Sequence, residues 1–231
     1  MSALAERLEA VTGSVADAAR AAGRDPAGIT TIVVTKFHPA SLVRELADLG
    51  VRDFGESRHQ DAQPKIAELS DLDATWHFIG QLQGKKARQV RAYSDVIHSV
   101  DRDSLIDSLS LAAAVPEERE RNLRRIFLQV NLTDDPERGG AQPDDLPRLA
   151  DLAAAAPGLE LMGLMAVAPL GEEPRRAFAR VRAMSERVRQ SVPAASALSM
   201  GMSGDYAEAI LEGATHLRIG TAITGNRPTH G

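Results

Sequence analysis

Lys36 is one of only four lysines in a chain whose 27 basic residues are otherwise arginines. A retained lysine matters because its amine, unlike a guanidinium, can condense with a carbonyl. Surface position is a sufficient reading for Lys65, Lys85 and Lys86. Lys36 differs because it ends the apolar, β-branched run TIVVTK. In an extended chain Ile32, Val34 and Lys36 fall on one face, and Val33 and Thr35 on the other. A lysine continuing an inward stripe carries its amine to the mouth of the fold, where burial favours the neutral nucleophile. The competing reading is a lysine in the first turn of the next loop, reaching water. Position alone leaves both open.

A second group of residues lies near the C-terminus, in LSMGMSGD and RIGTAITG. A helix is expected to begin at about Ser203, so the backbone N–H groups of Ser203 and Gly204 would make an anion site. Gly220 lets a backbone approach a ligand, and Thr221 adds a hydroxyl. Tight turns, with Ser203 as a plain cap, explain the same residues. Taken with Lys36, both segments point to a phosphorylated carbonyl compound, the phosphate on the glycine-rich loops and the aldehyde on the lysine. Arg218 shares a face with His216 and Gly220 by alternation. An inward guanidinium needs an acceptor, which could be a ligand ring nitrogen, a phosphate, or an internal carboxylate from Glu56 or Asp205. His77 also alternates inward and reads as a satisfied core histidine. The remaining histidines lack metal-ligand spacing, and no nucleophile-elbow sequence surrounds Ser203; no metal site is expected.

Elements of alternating type must position these residues. Strand patterns occur at Thr31–Thr35, Val51–Phe54, Thr75–Ile79, Asp95–Ser99, Ile126–Asn131, Leu159–Met165, Ala197–Met200 and His216–Ile219. Helix patterns occupy the N-terminal segment and Ser41–Leu49, Arg58–Leu69, Lys85–Tyr93, Ser104–Ala114, Leu146–Ala156, Arg175–Gln190 and Asp205–Glu212. Eight such alternations predict a parallel (β/α)8 TIM barrel, with an open doubly wound sheet as the alternative. The stretch Thr133–Asp145 reads as a long loop after the fifth strand. In a barrel the functional groups gather at the C-terminal strand ends, and Lys36, Ser203, Gly204, Arg218, Gly220 and Thr221 all fall at or near such ends.

Composition narrows the function classes. With 231 residues and 43% hydrophobic content the chain can bury a substantial core, and one domain over residues 1–231 is expected. A net charge of −5 argues against a broad grip on nucleic acid. The absence of cysteine excludes disulfides and thiolate chemistry. No apolar run reaches membrane-span length and the N-terminus is not a signal peptide, so a cytoplasmic location is expected.

The segments VVTKFHP, FGESRHQDAQPKI, WHFIGQLQGKK, IHSVD, GLMAVAP, LSMGMSGDYAEAI and THLRIGTAITGNR cover nearly the whole chain. On them, the sequence resembles the pyridoxal-phosphate homeostasis proteins, the YggS/PROSC family (proline synthase co-transcribed homologues). The resemblance implies a barrel like the N-terminal domain of alanine racemase. It implies pyridoxal 5′-phosphate (PLP) held on Lys36 as an aldimine, with Ser203, Gly204, Gly220 and Thr221 at the phosphate and Arg218 beside the cofactor. The family pattern Ser-Lys-Thr reads Thr35-Lys36-Phe37 here, and Gly-Glu-Asn reads Gly55-Glu56-Ser57. In the LQ-x-NK motif Lys85 replaces the Asn. Where the family often has a lysine proposed for a second cofactor site, Arg138 stands nearest, and it cannot form an imine.

Three functions compete. The first is a PLP carrier in intracellular homeostasis, without catalytic turnover, supplying PLP-dependent apoenzymes. The second is a PLP-dependent amino-acid racemase or decarboxylase; racemisation needs a base on each side of Cα, and the related racemases draw one from a second, all-β domain. The chain ends just after the eighth strand, so the expectation is a monomer without that base. The third is a lysine-dependent aldolase of sugar phosphates, which shares Lys36 and the phosphate loops but not the motif match.

Overall fold

The computed structural model describes residues 2–111, 117, 122–135 and 138–226. Eight parallel strands close into a barrel in sequence order: β1 Thr30–Val34, β2 Asp53–Glu56, β3 Thr75–Phe78, β4 Val96–Val100, β5 Arg124–Gln129, β6 Leu159–Met165, β7 Ala197–Ser199 and β8 His216–Ile219. Closure comes from β1 pairing with β8, with Ile32 opposite Arg218 and Val33 opposite Ile219. The open-sheet alternative is thereby excluded.

Among the described residues the helices are α1 Ala3–Ala21, α2 Ala40–Asp48, α3 His59–Glu68, α4 Ala87–Tyr93, α5 Asp103–Leu109, α6 Leu146–Ala155, α7 Pro174–Val188, α8 Tyr206–Leu211 and α9 Thr221–Thr224. The expected fifth helix overruns α5, and its last residues, 112–114, lie outside the described residues. None of the helices is long and apolar enough to cross a membrane, among the described residues. The apolar stripe of α1, with Leu4, Val11, Val15 and Ala19 buried, covers α8 and α9. Arg7 Nε donates to the Ile223 carbonyl at 2.7 Å, tying α1 to α9.

Alternation divides the core in two. Val33, Phe54, Trp76, Phe78, Ile97, Leu217 and Ile219 point outward into one continuous layer beneath the helices. The barrel interior is smaller and mixed in polarity: Val96, Phe127, Met165 and Ala197 form its apolar part. Alongside them are His77, His98, Ser199 and Arg218, all buried. The segment after β5 is less irregular than its composition implies. Val130 bridges Ala141, and Asn131 accepts from the N–H and hydroxyl of Thr133 while donating to the Asp135 and Arg138 carbonyls. A 3-10 turn follows at Pro143–Asp145.

Candidate cofactor site

The ends of β1, β7 and β8 build one sector of the C-terminal rim. Strand β1 stops at Val34, two residues short of Lys36. Lys36 lies in the turn that follows and is exposed, whereas Thr35 before it is fully buried. Of the two sequence readings, the loop lysine is the one observed. Its successor, Phe37, has φ 68°, a left-handed conformation that is an outlier for a bulky residue. Backbone strain of this kind concentrates at functional sites. The Phe37 ring lies 5.9 Å from Lys36 Nζ and 5.8 Å from the Arg58 guanidinium carbon, within cation–π range.

Beneath this turn lies a buried ion pair that the sequence reading missed. Lys65, read as a surface lysine, is only 9% exposed. Its Nζ donates to Glu56 Oε1 at 2.7 Å and to the Thr35 carbonyl at 3.0 Å. The Thr35 hydroxyl donates to the same Glu56 oxygen at 2.7 Å. The peptide leading into Lys36 is therefore held from below. Glu56 Oε2 is buried without a partner. The available signal was the inward stripe of α3, His59, Ala62, Lys65 and Ile66. The second strand also runs to Glu56 rather than ending at Phe54, which puts that carboxylate in the wall.

The phosphate-type segments face the same rim, with one correction. Helix α8 begins at Tyr206, one residue inside the helix pattern Asp205–Glu212 and three beyond the Ser203 start that would have made an anion site, and its cap position is Asp205. Asp205 Oδ1 accepts the Met202 N–H at 2.6 Å, which makes Met202–Asp205 a turn and Ser203 a turn residue. Burial pushes the Asp205 carboxyl upward. Among the described residues the N–H groups of Ser203 and Gly204 have no hydrogen-bond partner, nor do those of Thr221 and Ala222 at the start of α9. A Cβ on Gly204 would meet nothing, so no contact within the protein demands glycine there. At Gly80 the opposite holds: a Cβ would lie 1.9 Å from the Ser57 carbonyl oxygen, so the ends of β2 and β3 pack backbone to backbone.

Arg218 points into the barrel as expected, but not to a carboxylate. Its Nη1 donates to the Ser199 carbonyl at 2.6 Å and hydroxyl at 2.7 Å, and its Nη2 to the Ala166 carbonyl at 2.9 Å. The alternative of a salt bridge to Glu56 or Asp205 is not observed among the described residues. Burial lowers its pKa to about 10, so it stays cationic at neutral pH. His77 is the satisfied core histidine the pattern implied, bonded to Asp53 and His98. Cavities lie elsewhere on the rim. One of about 510 Å³ opens between the β5 and β6 ends beside Leu132, Leu170, Arg176 and Arg180, and Lys36 does not line it. We place the site by its donors, because an open rim holds a ligand by directed polar groups as much as by enclosure.

The ends of three consecutive strands thus carry an exposed lysine, two sets of N–H donors unpaired among the described residues, and a buried guanidinium. The family profile described as "Alanine racemase, N-terminal domain" matches residues 8–228. The pyridoxal phosphate homeostasis protein of Pseudomonas aeruginosa is 42% identical over 232 residues, covering 98% of this chain and 97% of that one. The chain belongs to the pyridoxal phosphate homeostasis protein family. The family's Escherichia coli member is 37% identical, covering 98% of each chain. PipY of Synechococcus elongatus has been solved without PLP (TM-score 0.83, 37% identity, 96% of this chain and all of that one). It has also been solved with PLP bound, at TM-score 0.80 and 36% identity over the same shares. Alanine racemase from Corynebacterium glutamicum shares the fold at 15% identity and TM-score 0.70, over 97% of this chain and 63% of its own.

Proposed function

We propose that this chain is a PLP carrier in cytoplasmic PLP homeostasis. As a one-domain monomer, it holds the cofactor covalently through Lys36 and hands it to PLP-dependent apoenzymes without turning over amino acids. The observation that carries this reading is that the segments bearing the exposed Lys36, Thr221, and Ser203 with Gly204 follow three consecutive strands of the closed barrel, β1, β8 and β7, with the N–H groups of the last three unpaired among the described residues. Membership of a family named for PLP homeostasis, and a PLP-bound relative, support it. PLP supplies an aldehyde that condenses with amines and a ring that accepts electrons.

Each residue then has a physical task. Ser203, Gly204, Gly220 and Thr221 receive the phosphate through backbone N–H groups and two hydroxyls, and the missing side chain at Gly204 leaves room for it. Arg218 offers only donors, so a ring nitrogen facing it is an acceptor and stays unprotonated. An unprotonated ring is a weak electron sink, which disfavours chemistry at Cα.

Two measurements test this. Ser203→Ala with Thr221→Ala removes both hydroxyls and should weaken PLP by roughly tenfold per hydroxyl, at about 1.5 kcal/mol for a hydrogen bond to a charged group. Pyridoxal, lacking phosphate, should be nearly unaffected; equal losses for both ligands would remove the phosphate role. Chiral chromatography of alanine, serine and other common amino acids after long incubation with PLP-loaded protein should show no appreciable conversion. A turnover number in the ordinary enzyme range of roughly 1–10³ s⁻¹ would make the chain an enzyme instead.

A further inference from the structure

The barrel interior contains a continuous line of polar groups that runs from one end of the fold to the other. Asp53 opens β2 at the end opposite Lys36, with its side chain 31% exposed. Its Oδ1 lies 3.0 Å from His77 Nε2. His77 Nδ1 lies 2.9 Å from His98 Nε2, and His98 Nδ1 lies 2.8 Å from the Ser199 hydroxyl across the barrel. That hydroxyl is 2.7 Å from Arg218 Nη1.

Donor and acceptor chemistry orders this line. Arg218 can only donate, so the Ser199 oxygen accepts from it. From the other end, the Asp53 carboxylate only accepts, so His77 donates its Nε2–H; a neutral His77 then accepts at Nδ1 from His98 Nε2–H, and a neutral His98 accepts at Nδ1 from the Ser199 hydroxyl. His98 is fully buried, and burial, followed by the nearby His77, Arg218 and His216, holds it neutral. With Nδ1 accepting, its proton sits on Nε2 and is donated to His77 Nδ1. His77 is also held neutral, chiefly by burial against the opposing pull of Asp53; Arg125 and Asp95 are its other charged neighbours. Its proton therefore sits on Nε2 and is donated to Asp53. Every proton points from Arg218 towards Asp53, and every acceptor end faces back towards the cation. Asp205 is the carboxylate whose charge acts directly on Arg218, although the two form no salt bridge among the described residues, and the hydrogen-bonded line connects the same guanidinium to a second carboxylate at the far end.

We propose that Ser199, His98 and His77 are positioning residues that fix the Arg218 guanidinium, and that Asp53 anchors them through this one-directional chain. The inference rests on the reading that Arg218 faces the bound cofactor. It adds that the cofactor end of the barrel is tuned by a carboxylate at the far end. No proton can pass from Asp53 towards the cofactor unless both imidazoles change tautomer.

The test begins without cofactor. In the full chain labelled with [15N]histidine, His77 and His98 should both carry their proton on Nε2 and should not titrate where exposed histidines do. A proton on Nδ1 of either ring overturns the chain. Asp53→Asn can present an amide donor to His77, so both tautomers should change, while Asp53→Glu should restore them. Ser199→Ala, a smaller perturbation if Asp53→Asn fails to fold, should release His98 alone. In PLP-loaded protein, Asp53→Asn should shift the visible absorption maximum and speed PLP release by roughly two- to thirtyfold, the range for coupling through a packed network. Asp53→Glu should not. If Asp53→Asn leaves spectrum and release unchanged while borohydride still labels Lys36, the remote coupling is wrong and the cofactor site stands. If the label is absent from Lys36, the site reading falls, and the ring tautomers alone decide the chain.

Discussion

Borohydride reduction of the PLP-loaded protein, followed by peptide mapping, should place the phosphopyridoxyl group on Lys36 and on none of Lys65, Lys85 or Lys86. The four lysines differ in what surrounds their amines. That of Lys65 is buried and already donates to Glu56 and to the Thr35 carbonyl, so condensation would break a desolvated ion pair. Lys85 and Lys86 lie in the 3-10 turn after β3. Lys36 is exposed and follows the strand that pairs with β8, which carries Arg218 and leads into Gly220 and Thr221. Lys36→Ala should abolish the visible absorption band completely, while some PLP remains bound through the phosphate loops. A label found mainly on Lys85 or Lys86 would relocate the site to the β3 end.

Lys65→Met should cost about 3–5 kcal/mol of stability, the range for stranding one member of a buried ion pair. At roughly 2–4 °C per kcal/mol for a chain of this length, Tm should fall on the order of 6–20 °C. Glu56 is 1% exposed and one of its oxygens already lacks a partner, so losing the ammonium leaves an almost uncompensated charge. The double variant Lys65→Met with Glu56→Gln should recover most of the loss, because the Gln oxygen still accepts from the Thr35 hydroxyl and no net charge remains buried. Calorimetry on the three proteins checks this. A single variant that melts with the parent would mean that the pair adds nothing to stability.

The elements were legible because each is written locally. Apolar residues at period two, switching to a helical period and closed by Gly50 or Gly213, mark strand and helix without reference to the rest of the chain. All eight strands lie where the pattern puts them, within two residues at either end. The errors sit where a charge stands in a wall. The strand pattern ends at Phe54, yet Glu56 completes β2 with Lys65 paired to it. Lys65 reads as a surface lysine because the sequence does not show that two charged residues nine apart are partners.

Other features depend on closure. Alternation puts Ile32 and Val34 inside, and both touch the space above Gly55. It fails for Lys36 because the strand stops at Val34 and Phe37 turns left-handed. The sequence alone therefore determined the eight strands, most of their inward faces and the motifs that carry the family, while the order and closure of the strands came from their pairing. Tertiary structure decided which polar residues meet. His98 and Ser199 are separated by 101 residues and face each other across the barrel. That contact exists only because β1 pairs with β8, and no local period encodes a distance across a closed sheet.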